Sequence, residues 1–252
     1  MIMLVKDVYN LLNDYAPYET QAHYDNSGLN VGDANAEVKK ILLTVDVSLE
    51  VLDEAIEKGC NLIVSHHPII FAPIKNVVES NYVCEVVIKA IKNSINLLSC
   101  HTNMDLAVGG INDTLCSRLN GKNPRRIVED AFPCIFDIEE TDIASFAKFV
   151  SERLDDDRVC SIGSGNVKTV AVVGGAGGDY SLIDYCIEND IVLVTSEIKH
   201  HLARMIQDRH GKIITVGHFT SEKIFLSIVE KILDGKVELL ESKQTTPFNS
   251  KQ

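Results

Sequence analysis
The sequence predicts an α/β fold built from two similar βαβ-type lobes, residues 1–125 and 126–252, that together make one compact unit. Three observations lead there. Short β-rich apolar runs alternate with helical patterns, the signature of βαβ units. The alternation occurs twice along the chain, and each round ends a strand with the same polar pattern, His-x-x-x-acid.

The elements follow in order. Apolar residues at Val5, Val8, Leu11, Leu12 and Tyr15 are spaced for an amphipathic opening helix, which Pro17 helps to end. A loop with turn chemistry comes next. The first round then reads as strand Ile41–Val45, helix Leu49–Lys58, strand Asn61–Ser65, helix Tyr82–Asn93 and strand Ile95–Ser99. A middle segment holds a strand at Cys134–Ile138 and a helix near Ile143–Leu154. The second round runs through Thr169–Val173, Leu182–Glu188, Ile191–Thr195, His201–Arg209, Ile213–Val216 and a helix over Glu222–Leu233. The two rounds match residue by residue at their ends. Ser99-Cys100 leads into His101-x-x-x-Asp105 and Val216-Gly217 into His218-x-x-x-Glu222, while His66-His67 and Ser196-Glu197 each follow a buried-type strand. Ligands bind at the carboxyl ends of parallel strands, so matching lobes would bring matching polar ends to one place.

Composition narrows the function. With 252 residues, 45% hydrophobic and 24% charged, the chain can bury a substantial core and is not of disordered type. Its longest apolar runs are strand-length, far below the roughly 20 residues of a membrane span. Lys6 and Asp7 interrupt the N-terminal apolar stretch, and no small-residue cleavage site follows, which argues against a signal peptide and for the cytoplasm. Seven cysteines without a C-x-x-C pair fit reduced thiols, read here as core residues. A net charge of −12 disfavours nucleic acid as a partner and suits a protein that collects cations.

His66 and His67 are adjacent, and successive side chains in extended backbone diverge, so one histidine per metal is the simpler geometry. Pro68 biases His67 toward an extended backbone. Two divalent ions are therefore expected, with Asp105 or Glu222 as the carboxylate bridge. Imidazole and carboxylate donors suit zinc, iron, manganese, cobalt or nickel, and no cysteine stands at ligand-like spacing. Against this, an isolated histidine at a strand end is usually a satisfied polar residue; it is the joint occurrence of the His-His pair and both His-x-x-x-acid motifs that points to metal. The fold expectation becomes α/β with two similar lobes around a shared dinuclear metal cleft.

The set Tyr24-Asp25-Asn26-Ser27-Gly28-Leu29-Asn30-Val31-Gly32, Ser65-His66-His67-Pro68, His101-Thr102-Asn103-Met104-Asp105 and Gly217-His218-Phe219-Thr220-Ser221-Glu222 closely resembles the Nif-three-like dinuclear-metal proteins, often labelled type 2 homologues of GTP cyclohydrolase 1. The match runs in motif order through essentially the whole chain. The resemblance implies a toroidal homohexamer with a two-metal site in each subunit. It assigns His66, His67, Asp105, His218 and Glu222 as ligands, with Glu222 the bridge, and gives His101 either to a metal or to proton transfer. A structural role beside the ligands is the other reading of His101. Tyr24 and Asn30 replace the Trp and Gln common in the family, a change at the substrate pocket rather than at the ligands.

Three further features stay open. The Gly174–Gly178 run can cradle a phosphate or make a tight strand-to-helix turn. Lys199, His200 and His201 can contact an anionic substrate or begin a solvated helix, and Asp25 and Asn26 can order the early loop or reach the pocket. The favoured function is metal-dependent hydrolysis of a nucleotide or related phosphate compound, with His101 or Glu222 handling protons. The rival is a non-catalytic metal-binding ring, a scaffold or regulator.

Overall fold
The computed structural model describes residues 2–127 and 132–248. The chain divides into two units, Met1–Val108 with Phe225–Thr245, and Gly109–Ile224 with Thr246–Gln252.

The first unit opens with the helix Val5–Tyr15, whose Val5, Val8 and Leu12 are buried and whose Asp7 carboxylate accepts from the Leu4 N–H. Strand β1 (Gly28–Val31) follows, then β2 (Lys40–Thr44), helix Leu49–Lys58, β3 (Leu62–Ser65), helix Tyr82–Lys92, β4 (Asn96–Ser99) and the short helix Thr102–Leu106. Local chemistry explains the boundaries. Ser48 and Asn81 cap helices Leu49–Lys58 and Tyr82–Lys92 by accepting the N–H groups of Val51 and Cys84. Gly59 ends the first of them at φ +71°, a left-handed position where a side chain would be strained. Strands β2, β3 and β4 are parallel and in step, so Thr44 pairs with Ser65 and Ser65 with Ser99. Their carboxyl ends are therefore level, and Asp46, His66-His67 and His101 all emerge along one edge. Leu42, Ile63 and Leu97 pack with Leu52, Ala55, Val86 and Ala90 of the helices, and the alternate residues Ile41, Leu43, Val64 and Leu98 are equally buried. Both faces are covered, as parallel strands require.

The second unit contains β5 (Lys122–Arg125), β6 (Cys134–Asp142), β7 (Cys160–Ile162), β8 (Asn166–Val172), β9 (Val192–Thr195) and β10 (Ile213–Thr215), in the order β5-β6-β8-β9-β10-β7. Parallel β8, β9 and β10 are joined by helices Tyr180–Glu188 and His200–Asp208, and β10 runs into the short helix His218–Glu222. Chain order and pairing thus repeat the strand–helix–strand–helix–strand–short-helix plan of the first unit. The likeness extends further: β1 and β7 each precede their round and pair antiparallel with its third strand. The last strand, β11 (Glu238–Glu241), reached through helix Ile224–Leu233, belongs to the first unit, where it pairs parallel with β2 and completes the order β1-β4-β3-β2-β11.

Three expectations are adjusted. The division falls at Val108/Gly109 rather than at 125/126, because helix Ile111–Arg118 packs on β6 and β8 and β5 pairs with β6, while β11 carries the chain back to β2. The helix expected over Glu222–Leu233 starts at Ile224, and Glu222 instead closes the one-turn helix that begins at His218. Six cysteines are buried, but Cys160 lies exposed on the edge strand β7. Among the described residues no helix is long and apolar enough to cross a membrane.

Candidate metal centre
In the first unit the chain leaves β3 through hydrogen bonds from His66 N to Thr44 O (3.2 Å) and from His67 N to Val45 O (2.9 Å), which fix the His-His pair to the end of β2. Each ring is held at Nδ1. His66 Nδ1 lies 3.0 Å from the Cys100 carbonyl oxygen and His67 Nδ1 2.7 Å from Asp46 Oδ1. His101 Nδ1 lies 2.8 Å from Asp25 Oδ1. Carbonyl and carboxylate oxygens only accept, so the ring proton sits on Nδ1 and the Nε2 lone pair is presented; this is the arrangement that prepares imidazole for a metal. Ligand atoms of His66, His67 and His101 lie within 4.8 Å of one another. Asp105, buried in the short helix that His101 precedes, places Oδ1 3.9 Å from His66 Nε2. That is beyond hydrogen-bond reach but within the roughly 4 Å that two metal–ligand bonds of about 2.1 Å span.

Asp25 resolves the open question about the early loop, because it does both things. Its Oδ1 also accepts from Asn26 N (2.7 Å), and its Oδ2 accepts from Ser27 Oγ (3.0 Å), Thr102 N (3.0 Å) and the Thr102 hydroxyl, which ties the early loop to the short helix. Burial raises its carboxyl, but His101 and Thr102 outweigh burial and hold it well below the usual carboxylate range. Asp46 is steadied from the C-terminal segment, where Gln244 Oε1 accepts from Asp46 N (2.9 Å) and Gln244 Nε2 donates to Asp46 O (3.2 Å).

The second unit offers a different set. His218 Nδ1 lies 2.9 Å from Glu197 Oε1, and its Nε2 lies 3.0 Å from Oε2 of the buried Glu222. Burial lowers the affinity of this ring for a proton, yet the Glu222 and Glu197 carboxylates more than offset it and push the histidine up to about 9. Two carboxylates on opposite edges of one imidazole create a demand for positive charge, which a divalent cation satisfies with release of the proton. Gly175, at φ +62°, is pressed against this pair: a Cβ there would overlap Glu222 Oε1 and approach His218 Nε2 to 3.1 Å. The Gly-rich run behaves as a tight turn. Its Gly174, Gly175 and Gly177 amides donate to Asn112 Oδ1, Ser221 Oγ and Thr195 Oγ1, and Asp179 caps the following helix by accepting from Ser181 N and Leu182 N, which closes that end to an anion. Lys199, His200 and His201 lie exposed where helix His200–Asp208 begins.

The structure therefore gathers His66, His67, His101 and Asp105 in the first unit and His218 with Glu222 in the second. Their donor chemistry fits a divalent cation. Sequence reasoning passed over Asp46, although it directly follows a strand end, and it placed Glu197 at a strand end as the counterpart of the His66-His67 pair without recognising it as the partner of His218.

The same chain has clear relatives. The sequence model of Duf34/NIF3 (NGG1p interacting factor 3) matches residues 3–247. A Clostridium perfringens protein called GTP cyclohydrolase 1 type 2 homolog is 32% identical, over 98% of this chain and 99% of its own length. One of the same name from Clostridium acetobutylicum is 30% identical, over 93% and 91%. Among solved structures, a Staphylococcus aureus protein aligns with a TM-score of 0.86 at 25% identity, covering 99% of this chain and all (100%) of that one. A Bacillus cereus protein related to NIF3 shares the fold with a TM-score of 0.87 at 21% identity, over 99% and 100%. With motif order, fold and whole-length similarity in agreement, this chain belongs to the DUF34/NIF3 family.

Proposed function
We propose that this protein is a metal-dependent hydrolase of the cytoplasm, acting on a nucleotide or related phosphate compound, and that it works as a homohexamer. His66, His67, Asp105, His218 and Glu222 hold two divalent ions per chain, from among zinc, iron, manganese, cobalt and nickel. One observation carries the reading: all four imidazoles have Nδ1 held by an oxygen acceptor, so Nε2 is the atom with which each would meet a cation. When bound, such a pair of ions supplies Lewis acidity toward water and toward a phosphoryl or carbonyl oxygen.

The residues do the rest. The Cys100 carbonyl and Asp46 orient His66 and His67. Glu222, buried at the end of its short helix, would hold the ions through its carboxylate and is the second candidate for moving protons. His101 presents Nε2 either as a sixth ligand or to take and return a proton, and Asp25 stabilises the ring when it is charged. The relatives' name, GTP cyclohydrolase 1 type 2 homolog, supports a purine as the substrate ring.

The test is metal content per chain by elemental analysis of wild type, His67→Ala and Glu222→Ala, with nucleotide hydrolysis on the same samples. About two ions per chain, reduced in both variants, with turnover that follows metal, is the expected result. Two ions without turnover of any nucleotide leaves the scaffold reading, and a well-folded protein that takes up no metal overturns the proposal.

A further inference from the structure
We propose that Tyr24 and Phe71 form a stacking subsite for a planar heteroaromatic ring, such as a nucleobase, at the rim of the His66–His67–His101 cluster. Both rings are large and lie open, Tyr24 at 55% and Phe71 at 50% exposure, and their centroids stand 6.3 Å apart at 59°. Their loops are tied by a hydrogen bond from Asn26 Nδ2 to Ile70 O (2.6 Å), so the pair is held rather than loose. Phe71 also stands 5.9 Å from the His101 ring at 72°, and His101 in turn 5.2 Å from His67. This near-perpendicular arrangement has a chemical consequence. A flat ligand laid face-on against Phe71 lies in a plane about 72° from the His101 ring and beside the imidazoles, so the ring atoms on its rim, where a heteroaromatic ring carries its reactive carbons and hydrogen-bonding nitrogens, come near the cluster. Tyr24 supplies a second, inclined wall.

Charge favours a ring over a phosphate as the main handle. The chain carries a net charge of −12, which works against an anionic group as the source of affinity, whereas every base offers a π face to an aromatic side chain. The inference rests on the hydrolase reading for what happens after binding, but not for binding itself.

The experiment uses metal-loaded wild-type protein and 2-aminopurine riboside, whose fluorescence is quenched on stacking; the chain has no tryptophan to interfere. Quenching is expected, with displacement by guanosine but not by ribose 5-phosphate. Phe71→Leu, which keeps apolar bulk but removes the ring, should weaken binding by about tenfold, whereas Phe71→Tyr should bind like wild type. Metal content should be unchanged in both. Absence of quenching, equal displacement by ribose 5-phosphate, or equal affinity in Phe71→Leu overturns the subsite. So does a fall in native mass in Phe71→Leu without any ring binding, which would mean that the rings face a second copy of the chain. Metal content and turnover are read separately, so ring binding without turnover would fail the hydrolase and keep the subsite, and turnover indifferent to Phe71 would do the reverse.

Discussion

Both units run strand, helix, strand, helix, strand and one-turn helix, yet they furnish the ends of their strands differently. The first supplies three imidazoles, each anchored on one side: His66 by a carbonyl, His67 by Asp46 and His101 by Asp25. The second supplies one imidazole clamped by two carboxylates, Glu197 and Glu222. The loops after the first strand of each round differ in the same sense. After β2 the loop brings a carboxylate, Asp46; after β8 it brings Gly175, which clears space beside Glu222. A repeated scaffold, then, dictates where polar side chains emerge, through strand register, and leaves open which chemistry emerges there.

The sharpest way to break this contrast is to fill the space. Gly175→Ala should lower metal affinity about a hundredfold or more, near 2.7 kcal/mol, because the new Cβ overlaps a ligand oxygen and the residue sits at positive φ. Gly59→Ala in the first unit is the control. It also has positive φ, but nothing lies within 4 Å of its added Cβ. It should cost about 1 kcal/mol of stability and leave metal binding intact. Chelator competition and thermal unfolding on both variants measure the two effects, and unchanged metal affinity in Gly175→Ala would rule out His218 and Glu222 as metal ligands.

Much of this was legible in sequence, for a reason that also marks the limit. Helices Val5–Tyr15 and Leu49–Lys58 stand where apolar period and punctuation put them, and His66, His67, His101, Asp105, His218 and Glu222 follow strand ends as read. Those signals are local. The acceptors on Nδ1 are not: Asp25 and His101 are 76 residues apart, and only the fold of the early loop onto the short helix joins them. The return of β11 to β2, which moves the unit boundary, is likewise a long-range pairing that no local pattern announces.

The anchoring carboxylates give the next comparison. Asp25 has a fully buried side chain and Glu197 is 57% exposed, so a lost charge is compensated by water at Glu197 but not at Asp25. Asp25→Asn should weaken metal binding by about 10- to 100-fold and Glu197→Gln by less than tenfold. Titration with cobalt, followed by its visible absorption, reads both. Equal losses would mean that burial of the anchor is irrelevant and that the two units hold their histidines by the same means.

The smallest effect concerns the turn that delivers His218. Asp156 accepts from Gly217 N and from Arg158 N (3.1 Å) and Nε (3.2 Å), while Arg158 Nη1 reaches Thr246 Oγ1 (3.1 Å). Burial raises the Asp156 carboxyl, but these donors prevail and hold it below the ordinary carboxylate value. A carboxyl depressed on folding contributes stability that is present above its unfolded value, about 3.9, and is lost as pH falls through the folded one. Asp156→Asn should therefore lower stability by about 1–2 kcal/mol at pH 7, a few degrees in Tm. The gap to wild type should shrink below about pH 4. A gap independent of pH would assign the loss to geometry rather than to the charge. If the variant also loses metal affinity at pH 7, the clamp on Gly217 acts through the position of His218, in addition to the Glu197 carboxylate that holds its ring.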